Sequence, residues 1–264
     1  MTELKRPTKR PEPAVTEQAF LRDVKDHEIT IIRNEGLHRH IRFKKPGSST
    51  YAFDVLTFPG HAIITGDMGT FVFQRLPDML QFFDDDKGIN PSYWAEKLVS
   101  TDNPCGHHAF SPEVARYEIL SRVFDYLDEV GDKEDSGELL KSIDYEVLSE
   151  LGNGENDTLR AMFDFSTEGV FCFDYIIRLH DFTPQYLWCC YAIRHIAQIW
   201  NRRAEKEPSQ GFVKSVYAVI DELGPTDPET GHFMLDEGNL LAFAVKIRGL
   251  CVSEQSEKLG GREL

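Results

Sequence analysis

Five short β-prone runs follow one another between Glu28 and Arg75, and the brevity of their connections constrains this chain more than any other feature. The runs are Ile29–Arg33, Leu37–Lys44, Tyr51–Phe58, His61–Thr65 and Thr70–Arg75, separated by Asn34-Glu35-Gly36, Pro46-Gly47-Ser48, Pro59-Gly60 and Gly66-Asp67-Met68-Gly69. Parallel neighbours need a crossover of about a dozen residues or more, so each run must pair antiparallel with the next. An antiparallel meander follows. In the second run Leu37, Ile41 and Phe43 share one face with Arg39, whereas His38, His40, Arg42 and Lys44 share the other. One face belongs to a core and the other is basic.

Beyond the meander the apolar period changes to that of helices. Leu76, Met79, Leu80 and Phe83 recur at helical spacing, with Pro77 suited to a first turn, and predict a helix covering the apolar face of the sheet. A second helical piece is expected around Pro91–Ser100, and Asp102–His108 reads as a loop between two halves. Ser111, Pro112 and Glu113 form an N-cap, first-turn proline and first-turn acid, opening a helix to about Val130. The acidic stretch Asp132–Gly137 interrupts it, a helix over Glu138–Leu151 follows, and Thr158–Phe165 resumes after a glycine-rich break. Thr183-Pro184 repeats the capping signature before Gln185–Arg203, whose apolar residues cover most of the circumference and predict a buried central helix with Arg194, Gln198 and Asn201 on its polar strip. Phe212–Leu223 reads as helix or strand, Pro225–Gly231 as a loop and Asn239–Leu250 as helix. The fold class is therefore α+β: an N-terminal antiparallel β-meander covered by helices, then a mainly helical C-terminal half. The expected division is a flexible basic tail over 1–18, a β-rich domain over 19–110, and a helical region over 111–264 packed on it.

Charge is unevenly spread. The net charge is −15, yet residues 1–50 hold 11 Lys+Arg against 7 Asp+Glu, while Asp125–Asp181 holds 16 acidic residues against 4 basic ones. Such polarity steers association with charged partners. The acidic stretch could imitate a nucleic acid, although ordinary solvated helix faces are the favoured reading. Five cysteines without a CxxC spacing suggest reduced thiols instead of a disulfide framework or zinc site. The N-terminus lacks the apolar core of a signal peptide, and the run Tyr186–Ile193 is far shorter than the roughly 20 residues of a membrane span, so a cytosolic protein is expected.

No phosphate-cradling motif is present: there is no GxxxxGK[ST], and Gly152-Asn153-Gly154 lacks the third glycine and preceding strand of a dinucleotide fingerprint. Cys105, His107 and His108 offer metal-ligating atoms close together, but adjacent histidines in a loop cannot both take ideal positions without a second ligand cluster. His38 and His40 could share a metal, were it not for the cations Arg42 and Lys44 beside them. There is no GxSxG elbow, and Cys189 and Cys190 sit within the most apolar helix as small hydrophobes. No catalytic residue, metal or cofactor is assigned. The candidate partner-binding set is His38, His40, Arg42 and Lys44.

Four segments together carry a resemblance: His38–Gly47 (HRHIRFKKPG), Thr65–Phe73 (TGDMGTFVF), Asn90–Leu98 (NPSYWAEKL) and Leu187–Ile193 (LWCCYAI). They resemble a family of uncharacterised accessory proteins of tailed phages and prophages. That resemblance implies a protein of the host bacterial cytoplasm that binds and inhibits a host factor without catalysis, the factor being an antiviral defence complex of Gabija, CRISPR or restriction type. Self-association is a further partner reading, and no membrane partner is expected. Two alternatives stand beside it: a metal-dependent nuclease or nucleotide-processing enzyme with a dispersed site, and a nucleic-acid-binding module using the basic strand.

Overall fold

The computed structural model describes residues 4–84, 86–102, 106–131, 136–165, 171–173, 178–206, 214–216, 218–219, 246 and 248–250. A short helix, α1 (Glu17–Asp23), precedes strands β1 (Glu28–Glu35), β2 (His38–Lys44), β3 (Phe53–Phe58), β4 (His61–Gly66) and β5 (Gly69–Gln74). These five strands are the five predicted runs, paired antiparallel in chain order. Pro59 and Gly60 close the β3–β4 turn because proline presets φ while Gly60 takes a φ of 81° that side chains disfavour.

Two differences follow at the end of the meander. The helix α2 (Met79–Phe82) is a single turn, and Asp78 caps it, so Pro77 stands outside the helix instead of in its first turn. The stretch read as one helical piece divides into α3 (Pro91–Ala95), capped by Asn90, and a sixth strand β6 (Leu98–Thr101) that extends the sheet beyond β5. The pairing register slips between Ile31 and Arg33 on β1, and again between Val72 and Phe73 where β5 meets β6.

The inner face of the sheet is mainly apolar: Ile41, Phe43, Phe53, Val55, Ala62, Ile64, Phe71 and Phe73 are all buried, with Thr57 among them. Arg39 lies on that same face. The two terminal nitrogens of its guanidinium donate to Asp78, at 2.6 and 2.8 Å, so one carboxylate both caps α2 and holds a cation at the edge of the core.

The next elements build a second core. Helix α4 (Pro112–Val130) starts at the predicted Ser111 cap and ends at Gly131, whose φ is 64°. Then come α5 (Ser136–Ser142), a π-helical turn over Ile143–Val147, a 3-10 stretch over Leu148–Asn153, and α6 (Glu155–Asp164). The single helix expected over Glu138–Leu151 is thus wound in three ways, which leaves Leu139, Ile143, Val147, Leu148 and Leu151 all on the buried side. They pack with Ile119, Val123, Met162, Phe165 and Phe171. A two-stranded ribbon of β7 (His108–Phe110) and β8 (His180–Phe182) joins distant parts of the sequence, with β7 beginning at the last residue of the stretch read as a loop.

Helix α7 (Pro184–Lys206) is the long helix anticipated from the Thr183-Pro184 signature. Its Trp188 ring stacks on Tyr51 at 5.5 Å, meets the edges of Phe20 and Phe53, and donates its N–H to Asp23 at 3.1 Å. On the polar strip, Arg194 is turned inward to Glu17 of α1 at 2.9 Å. The basic N-terminal segment is also engaged: Leu4 packs against the second core, Arg6 pairs with Asp125 and Asp128 of α4, and Arg10 lies 3.8 Å from Asp181. Part of the chain's charge asymmetry is thereby closed internally.

Two compact units result, Met1–Ile196 and Ala197–Leu264, with the division falling inside α7. In the second unit, Ala197 and Trp200 of α7 are buried, and short helical pieces occur at 214–216, 218–219 and 248–250. Most of Phe212–Leu223 and Asn239–Leu250, and all of Pro225–Gly231, lie outside the described residues. Among the described residues no helix is long and apolar enough to cross a membrane.

Candidate functional site

Antiparallel alternation sends His38, His40, Arg42 and Lys44 of β2 to the outer face of the sheet. They are not left as a bare row of cations. Arg42 sits opposite Asp54 of β3 and donates to both of its carboxylate oxygens, at 2.9 and 2.8 Å, while His40 Nε2 lies 2.7 Å from the same carboxylate. The hydrogen bond from Arg42, aided by His40, holds the Asp54 carboxyl below its usual range despite the opposing effect of burial. Across the other neighbour, Glu35 stands opposite His38 and Glu28 opposite Lys44. The β3 side therefore neutralises Arg42 through Asp54, while on the β1 side Glu35 is itself paired with Arg33 of its own strand.

Behind His40 the outer face becomes apolar. Leu56, Ile63 and Val72 align in one row across β3, β4 and β5, each keeping partial contact with solvent. At the margins of this row Phe58 is 38% exposed with His61 stacked on it at 4.5 Å, and Ile32 is 48% exposed where the β1 bulge sets it beside Arg33 opposite His40. Arg42 and Lys44 also border a hollow of about 690 Å³ with Ser48, Ser49, Thr65 and Asp67. Its rim is held by Tyr51, whose backbone takes a φ of 55° while its N–H is bound by the Asp67 carboxylate at 2.8 Å. The structure thus brings Arg42, Lys44 and, through Asp54, His40 to one place, and leaves His38 at the far end of the strand.

A second concavity of about 670 Å³ lies where the β7–β8 ribbon meets α3. The ribbon register places His108 opposite Phe182, with rings stacked at 4.3 Å, and Phe110 opposite His180. His107 lies against His108 at 4.3 Å and against Tyr186 at 5.5 Å, while Arg178 completes the lining beside His180. His180 contacts Glu155 of α6 at 3.1 Å. Burial, followed by the nearby His107, Arg178 and His180, holds the His108 imidazole down to about 4. Burial also lowers His107. Among the described residues no group of three His, Cys, Asp or Glu side chains is placed to hold a metal ion. Cys105 lies outside the described residues, so the three-residue set considered from sequence is represented by His107 and His108 alone.

Cys189 and Cys190 are fully enclosed, and burial pushes both thiols far above the usual range, so neither supplies a thiolate. Comparison with family models, curated proteins and solved structures returns no match for this chain. The candidate sites therefore rest on their own geometry. The carboxylates that balance β2 and the partners of His108 were missed in the sequence because they reach their positions through strand register. Only β-strand pairing between 108–110 and 180–182 could have announced the histidine cluster.

The depressed His108 gives a pH dependence whose sign is determined. The unfolded chain takes up this proton near its ordinary value of 6.5, whereas the folded chain does so only near 4. The associated stability is thus fully present above about pH 6.5 and declines as pH falls toward 4. Urea midpoints measured at pH 7.5 and pH 5 should fall with acidity, and His108→Gln should flatten that slope; an equal slope in the variant would assign the effect to other groups.

Proposed function

We propose that this chain is a non-enzymatic binding protein that occupies and inhibits a protein of the bacterial host, with the outer face of its sheet as the contact surface. The apolar row Leu56, Ile63 and Val72, beside a strand whose Arg42 is held by Asp54, carries the proposal. Such a surface suits a protein better than a phosphate backbone: contact with phosphates would require Arg42 to leave Asp54, whereas apolar side chains framed by fixed charges match the core-and-rim layout of protein interfaces. Resemblance to phage accessory proteins supplies the partner class, an antiviral defence complex acting in the host cytoplasm.

The test is inhibition of purified Gabija, CRISPR and restriction complexes by the full-length chain. For one of them, inhibition should saturate at a fixed molar ratio and change little with salt. Ile63→Lys, with an unchanged far-UV spectrum, should weaken it by tenfold or more, as expected for a central interface residue worth more than about 1.4 kcal/mol. Inhibition that deepens with time at substoichiometric protein, or that survives Ile63→Lys, would replace this reading with a catalytic one or move the contact elsewhere.

A further inference from the structure

We propose that the concavity between α3 and the β7–β8 ribbon binds a phosphorylated small molecule, gripping its phosphoryl group with Arg178, His107 and His108. This inference is independent of the sheet-face reading, since the two surfaces share no residue. The donors are of the right kind: Arg178 offers a planar fork and each imidazole an N–H, and Ser92 of α3 lines the same space. A volume of about 670 Å³ leaves room for more than the phosphoryl group, and Ala95 and Phe182 give the remainder an apolar wall.

An anion fits this place better than a cation. Arg178 repels a metal ion, and the nearby carboxylates are already committed. Glu155 is occupied by His180 at 3.1 Å, and Glu96, which lines the same space, is paired with Lys97 at 3.0 Å. Asp181, next to His180 on β8, lies near Arg10 at 3.8 Å. On the α7 side, the hydroxyl of Tyr186 donates to the Pro91 carbonyl at 2.8 Å and does not compete for a ligand. Burial, then the fields of His107, Arg178 and His180, make a proton on His108 unfavourable, with Asp181 opposing them. A phosphate dianion offsets those three fields together, so binding should draw a proton onto the cluster.

The experiment titrates the full-length chain with inorganic phosphate, AMP and adenosine at constant ionic strength, following histidine ring resonances by NMR. Phosphate and AMP should move the His107, His108 and His180 signals together and saturably, AMP more tightly, while adenosine leaves them in place. Arg178→Gln should weaken binding by tenfold or more, the loss expected for a charge-assisted contact. Calorimetry in two buffers of different ionisation heat should show proton uptake that His108→Gln reduces. Rings unmoved by either anion at about 10 mM, where even a millimolar site would be filled, would overturn the proposal. So would binding that is indifferent to Arg178→Gln. Response to phosphate with no gain for AMP would overturn the small-molecule assignment, and the wild-type titration decides the matter even if a variant does not fold.

Discussion

Asp78→Ala is expected to lower stability by about 3–5 kcal/mol, the cost of breaking a largely buried ion pair by removing one member. The Arg39 side chain is 9% exposed and shares the sheet's inner face with Ile41 and Phe43. Two parallel hydrogen bonds to Asp78 make that position tolerable for a guanidinium. The same carboxylate accepts from the Leu80 N–H at the start of α2, so alanine also removes a cap worth about 1 kcal/mol. Urea unfolding measures the loss. Replacing both partners, as Arg39→Met with Asp78→Leu, should recover much of it, because the charge is then removed instead of stranded. A cost below about 1 kcal/mol for Asp78→Ala would mean the guanidinium finds water or another acceptor.

Gly66→Ala should cost about 1–3 kcal/mol or more through overpacking against main chain that cannot rotate away. A methyl group there would stand 2.2 Å from the Ala52 carbonyl oxygen and 2.7 Å from the Phe53 Cα. That carbonyl already accepts from the Asp67 N–H at 2.9 Å, so the clash falls on a hydrogen-bonded junction between the β2–β3 loop and the β4–β5 turn. Relief requires moving Tyr51, which would loosen its stack on Trp188 and deform the hollow beside Lys44. Gly152→Ala is the control, since an added methyl there meets nothing within 4 Å. Equal unfolding midpoints for the two variants would disprove the steric account.

How much of this was legible depended on whether the determinant was local. The five meander strands announced themselves because alternation and turn residues act over a few positions, and Ile41 and Phe43 fell on the inner face as expected. Strand β6 escaped because four residues after a short helix carry no period of their own, and only pairing with β5 makes them a strand. The helix α7 was plain from its cap and its breadth of apolar residues, yet the partner of Arg194 lies on α1, far away in sequence. The candidate site divided along the same line. The outward direction of His38, His40, Arg42 and Lys44 followed from alternation, whereas the pairing of Arg42 and His40 depended on Asp54 arriving in register. The cluster around His108 was hidden because strands of three residues have no readable pattern.

The two register slips have a consequence for assembly. An open sheet invites copies of itself to add at its margins and grow into fibres. Here one margin, β1, is bent by its bulge and lined with Glu28, Arg33 and Glu35, and the other, β6, is four residues long and irregularly joined to β5. Strand addition is discouraged at both margins, so the sheet can keep Leu56, Ile63 and Val72 partly open to solvent without also offering a regular edge for a copy to pair with.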